Sequence, residues 1–187
     1  MKKYIAILTA FIAIIALSST TSIAYGQDES TAQEVMEQLT KPNVWNILTL
    51  GGDELLGTPE TEIYVLTTKE QDRIAYYAYQ KDKIVLFSEN GVFDFERLYR
   101  GSSLYGETAI IGYYDSDGTL IEKEEAYCHK LGDSYSKGIL GTKKLMDFLK
   151  NNEGSIRIVL DRYRGGNFDV TFPTWKTQSP TKIDYNI

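Results

Sequence analysis

The sequence predicts an α+β fold: a mainly antiparallel β-sheet (a meander, small sandwich or open barrel) with two packed helices, following an N-terminal signal peptide. Three observations lead there. Short β-branched and aromatic runs recur from Val44 to Pro173, separated by polar turns. Only two segments carry the apolar spacing of a helix. No strand–helix–strand rhythm runs through the middle of the chain, which argues against a doubly wound parallel sheet.

Lys2 and Lys3 make a basic start, and Tyr4 to Leu17 an uncharged, mostly apolar core. Ala24-Tyr25-Gly26 then places small residues at −3 and −1 of a cut before Gln27, the pattern of a cleaved export signal. An uncleaved anchor is the rival reading. The continuous apolar run from Tyr4 to Leu17 is short of the roughly 20 residues that a spanning helix needs. No cysteine follows that run, so a lipoprotein anchor has no acceptor. Residues 1–26 are thus expected to be a signal peptide, residues 27–175 a single domain and residues 176–187 a polar tail. The expected location is periplasmic or secreted, with membrane contact only during export.

Ser30 or Thr31 can cap a first helix that Val35, Met36 and Leu39 face with apolar side chains and Pro42 stops. Val44–Leu50, Glu62–Thr68, Arg73–Gln80 and Lys83–Ser88 then read as strands. Asp115-Ser116-Asp117-Gly118 joins Glu107–Tyr114 to Thr119–Tyr127 in a hairpin. Lys130–Gly141 is rich in Gly and Ser and reads as a loop. Thr142 caps a second helix with an apolar face of Leu145, Met146, Phe148 and Leu149, ended at Gly154. The last hairpin pairs Ser155–Tyr163 with Asn167–Pro173, where Phe168, Val170 and Phe172 share one face.

Charge narrows the partners. The chain has 20 basic and 26 acidic side chains, net −6, and removing Lys2 and Lys3 takes it to −8. Nucleic acid needs clustered Lys and Arg, so it is not an expected partner. Anionic lipid is disfavoured for the same reason. Cys128 is the single cysteine, so no internal disulfide forms.

Cys128-His129 is the first candidate for chemistry, because each residue type occurs once. Thiol catalysis requires the imidazole within hydrogen-bond reach of the sulfur, and neighbours on a strand point to opposite faces. Ser134-Tyr135-Ser136-Lys137 matches S-x-x-K of the serine acyl-enzymes, but the companion motifs S-D-N and K-T-G are missing. Asp115-Ser116-Asp117-Gly118 fails as a calcium loop, since Leu120 and Ala126 occupy the positions that need Gly and Glu. Glu122, Glu124 and Glu125 read as a solvated strand face rather than a glycosidase pair. Gly51-Gly52-Asp53 lacks the lysine of a phosphate loop. No cofactor, metal site or catalytic residue is expected.

Tyrosine is the one excess, at 14 residues. Strand packing accounts for most of them. Tyr76 and Tyr77, like Tyr113 and Tyr114, must point to opposite faces of a strand, which leaves one of each pair for solvent. With Tyr79 these form the expected ligand-binding face, because exposed tyrosine gives rigid contact area at low entropic cost.

Residues 143–172 carry a helix, a basic strand, a Tyr/Gly turn and a closing T-F strand, through Phe148, Leu149, Arg157, Tyr163, Gly165, Val170, Thr171 and Phe172. This stretch resembles the end of small exported proteins of the type VI secretion-associated VasI type. The resemblance implies an envelope-located β-rich domain and brings no catalytic residue. The functional expectation is an exported, non-catalytic binding or interaction domain of the cell envelope or extracellular space, its partner an envelope protein or an extracellular glycan. The alternative is a secreted hydrolase using Cys128 and His129 or Ser134.

Overall fold

The computed structural model describes residues 37–50, 61–69, 71–77, 83–97, 104–163 and 166–183. Every described residue belongs to one compact unit, Gln33–Ile187. The expected signal peptide and most of the first expected helix lie outside the described residues, as do Tyr79 and Gly51-Gly52-Asp53. Residues 37–39 are helical.

Twelve strands and one longer helix follow among the described residues. They are β1 Trp45–Leu50, β2 Thr61–Thr67, β3 Arg73–Tyr77, β4 Ile84–Phe87, β5 Val92–Phe93, β6 Glu96–Arg97, β7 Tyr105–Tyr114, β8 Leu120–Lys130, β9 Lys137–Leu140, α1 Lys143–Asn151, β10 Ser155–Tyr163, β11 Asn167–Pro173 and β12 Thr181–Ile183. The sheet runs β11-β10-β7-β8-β9-β4-β3-β2-β1-β12, with β6 added on β7 and β5 on β10. Every pairing between named strands is antiparallel except that of β12 with β1, so the sheet is mixed. It stays open between β11 and β12.

The sheet is strongly curled. Trp45 on β1 meets Phe172 on β11 edge-on at 5.8 Å, and its indole N–H donates to the Pro173 carbonyl at 2.8 Å. Strands near opposite ends of the ladder thus face each other across one core. Leu66, Ile74, Ile84 and Leu86 come from one half, and Ile111, Ile156, Ile158 and Phe172 from the other. Alternation places these side chains inward and their neighbours outward.

Helix α1 starts where Thr142 accepts a hydrogen bond from the Leu145 N–H at 3.0 Å. Leu145, Met146 and Leu149 are buried, Phe148 lies against Tyr113 at 4.9 Å, and Lys150 donates to the Tyr76 hydroxyl at 2.9 Å. Gly154 turns the chain into β10 with φ 126°, and a Cβ there would strike the Tyr114 carbonyl. No L side chain fits both constraints.

A buried ion pair ties the two halves together. Asp72, just before β3, pairs with Arg162 on β10 at 2.5 Å, with side chains only 3% and 8% exposed. Arg162 also donates to Ser88 Oγ at 3.0 Å, and the second Asp72 oxygen accepts the Glu89 N–H at 3.0 Å. The Arg162 guanidinium lies over the Phe168 ring at 5.5 Å. Next to this network, Arg73 Nη1 lies 3.2 Å from Glu89 but off hydrogen-bonding direction, and burial lowers its pKa from the usual arginine value.

The structure revises two local expectations. The Gly/Ser-rich stretch 130–141 contains β9, which bridges β8 and β4. Gly138 is required there, because a Cβ would lie 2.5 Å from Cys128 Sγ. Residues 176–183 are not a free tail: Gln178 Oε1 accepts the Trp45 N–H at 3.1 Å, and β12 pairs with β1. The short strands β5 and β6 have too few residues to show a period.

Removing one partner of the buried pair leaves the other charged and unpaired. Asp72→Asn should therefore lower the urea-unfolding free energy by about 3–5 kcal/mol. The double change Asp72→Leu with Arg162→Met should recover more than half of that loss.

Candidate functional site

The tyrosines singled out from sequence separate into buried and exposed sets. Tyr76, Tyr77 and Tyr113 are 5%, 2% and 1% exposed, so they build no solvent-facing aromatic surface. Alternation does hold on β3, but every residue of that strand is buried, whichever face it points to. Tyr76 packs at 5.3 Å from Trp175 and 5.5 Å from Tyr64. Tyr113 donates a hydrogen bond to Glu124, which also accepts from Thr142 at 2.7 Å. Of the described members of the expected set, Tyr114 alone reaches the outer face, half-buried.

The candidate nucleophiles lie apart from one another. Cys128 faces inward, fully buried, and burial together with the Glu107 charge pushes its thiol up to about 12. His129 faces out beside the Tyr127 ring, 5.4 Å between centroids. Ser134 Oγ is hydrogen-bonded to Ser136 Oγ at 2.9 Å and accepts the Ser136 N–H at 3.3 Å, so it holds the turn into β9. Asp115 Oδ1 accepts the N–H groups of Asp117 and Thr119 at 3.0 and 2.8 Å, closing the hairpin. Glu122 pairs with Lys144.

Two features remain on the half of the sheet built from β8, β7, β10 and β11. The first is a notch of about 300 Å³ lined by Asp94, Glu96, Gly106, Glu107, Thr108, Tyr127 and Asp161. It opens where β7 and β10 diverge: their pairing ends at Ile110 and Val159, and β10 continues against β5. Glu107 fills the gap in the ladder, its Oε1 accepting the Asp161 N–H at 2.7 Å. Its Oε2 is buried without a hydrogen-bond partner. Burial, reinforced by the charges of Asp161, Asp94 and Glu96, raises this carboxyl to about 7, against the pull of the Asp161 N–H. Among the described residues, no three His, Cys, Asp or Glu side chains are grouped to hold a metal ion.

The second feature is the outer face itself. Thr108 and Ile110 on β7, Lys123, Glu125, Tyr127 and His129 on β8, Arg157 on β10, and Asp169 and Thr171 on β11 are all exposed. Two tyrosine rings lie against glycine backbone here. A Cβ on Gly106 would meet Tyr127 Cε1 at 2.6 Å, and one on Gly112 would meet Tyr114 Cε2 at 2.9 Å. Glycine on a central strand leaves backbone that a neighbouring ring covers, the device known as aromatic rescue. Arg157 grips Asp169 at 2.8 and 2.6 Å, and that hydrogen bonding holds Asp169 below, and Arg157 above, the usual values.

Sequence reasoning placed neither Glu107 nor Tyr127 in a site. A signal existed for both. Glu107 shares the inward register of Ala109, Ile111 and Tyr113, where an acid is out of place. The six-residue spacing of Gly106 and Gly112 on a strand marks close approach by something else. No protein-family model, no curated protein and no solved structure matches this chain.

Glu107 titrates above its ordinary value of 4.5 in the folded protein. Its contribution to stability is therefore complete below pH 4.5 and lost as pH rises through about 7. The loss should be about 1 kcal/mol once solvent screening is allowed for, and Glu107→Gln should flatten the stability curve between pH 5 and 8 in thermal melts. Separately, Cys128 should resist a thiol reagent at pH 8 in the native protein and react fully after denaturation.

Proposed function

We propose that this protein is an exported, non-catalytic interaction domain of the cell envelope or extracellular space, meeting its partner on the outer face of β7, β8, β10 and β11. The observation that carries the reading is Ile110, 48% exposed on a strand with neighbours on both sides. Val159 lies beside it, half-buried, and Tyr127, 45% exposed, is two positions along β8 from its cross-strand partner Glu125. Contiguous apolar surface rimmed by charge marks interaction sites on proteins that otherwise hide it. The N-terminal leader and the resemblance of residues 143–172 to VasI-type exported proteins favour an envelope or extracellular setting. The partner is an envelope protein or an extracellular glycan.

The hydrolase reading draws less support. Cys128 is buried as a neutral thiol, His129 points to the other side of β8, and the Ser134 hydroxyl is engaged in a turn.

An affinity capture from envelope and culture extracts, with the secreted protein as bait, tests this. The wild type should retain a saturable partner, Ile110→Glu should lose it at unchanged melting temperature, and Ser134→Ala should keep it. Retention that survives Ile110→Glu would sink the assignment of this face.

A further inference from the structure

We propose that the occupant of this face is an uncharged, hydroxyl-rich polysaccharide chain lying along β7, its sugar rings stacked on Tyr127 and Tyr114. The inference rests on the outer face being the interaction surface. Both rings lean over a glycine, Tyr127 over Gly106 and Tyr114 over Gly112. Tyr127 is 45% exposed and Tyr114 half-buried, so each ring held against the backbone keeps surface for a partner. Such a surface suits the flat, C–H-rich side of a pyranose better than an irregular protein side chain. Gly106 and Gly112 are six residues apart on one strand, roughly 20 Å at the rise of a β-strand. That length accommodates a run of several sugar rings, not a single one.

Charge selects the kind of chain. The protein is net −6, yet the face between the two rings is balanced. Arg157 and Asp169 satisfy each other, and Lys123 and Glu125 alternate on β8. A charged partner finds no excess of opposite sign there, whereas a neutral chain gives up no ionic hydration to bind. At the Tyr127 end the face runs into the notch, whose carboxylates accept hydrogen bonds from hydroxyl groups and repel an anionic polymer. Thr108 and Thr171 add exposed hydroxyls along the track.

Native gel electrophoresis of the secreted protein through gels containing soluble polymers tests the idea. The panel is hydroxyethylcellulose, xyloglucan, arabinoxylan, galactomannan and laminarin, with polygalacturonate and polylysine as charged arms. At least one neutral polymer should retard the wild type. Tyr127→Ala and Tyr114→Ala should each weaken retardation by about fivefold or more and abolish it together, while Tyr127→Phe retains it. Far-ultraviolet circular dichroism and melting temperature show whether each variant is folded. No retardation by any neutral polymer, retardation by polylysine alone, or retardation indifferent to both tyrosines overturns the inference. If the neutral polymers fail while envelope capture still yields an Ile110-dependent protein partner, only the polysaccharide falls. If both fail, the interaction face falls with it.

Discussion

The pairing of Asp72 with Arg162 is the constraint on which the rest of the structure depends. An open sheet has no ladder to hold its ends in place, so something other than backbone hydrogen bonds must set how far it curls. Asp72 enters β3, and Arg162 sits on β10, on the other half of the sheet. Both charges are almost wholly removed from water, and Ser88, the Glu89 N–H and the Phe168 ring satisfy what the pair leaves open. Buried ion pairs contribute little net stability compared with apolar replacements, but they tolerate few alternative arrangements. Here the arrangement brings β5 onto β10, which is the divergence that opens the notch at Glu107.

The curl also sorts the side chains by role. On the β8-β7-β10-β11 half, the inward positions are apolar or hydrogen-bonded and the outward positions stay wet. On β3 and β4 the same alternation leads to burial on both faces, with Ala75, Tyr77, Val85 and Phe87 as deeply buried as Ile74 and Leu86. Leu39 is buried as well, and its carbonyl accepts the Thr67 hydroxyl at 2.7 Å. Among the described residues, β3 and β4 are therefore covered on both sides, whereas the β8-β7-β10-β11 half is open on one.

Much of this was legible in the residues. The hairpin at Asp115–Gly118, the cap at Thr142 and the Phe168/Val170/Phe172 alternation are local signals, and each was realised where expected. The α+β class followed from them. Tyr76 and Tyr77 were misread because alternation tells which way a side chain points and not what covers it. Strand β9 was hidden because Gly138 serves packing against Cys128 rather than a turn. The notch was unreadable because it arises from two strands separating, an event with no local period. Strand β12 was missed because Lys182 and Thr181 are exposed and only Ile183 is buried.

The anchoring of Trp45 has a consequence for how the chain acquires its shape. Its backbone N–H is held by Gln178, 133 residues away, and its indole by Pro173. Strand β1 therefore finds these partners only when the last strands exist. Contacts so distant in sequence form slowly. A chain made from its N-terminus would carry Trp45 without these two acceptors until its last residues are added, so the sheet can close only after synthesis has reached them.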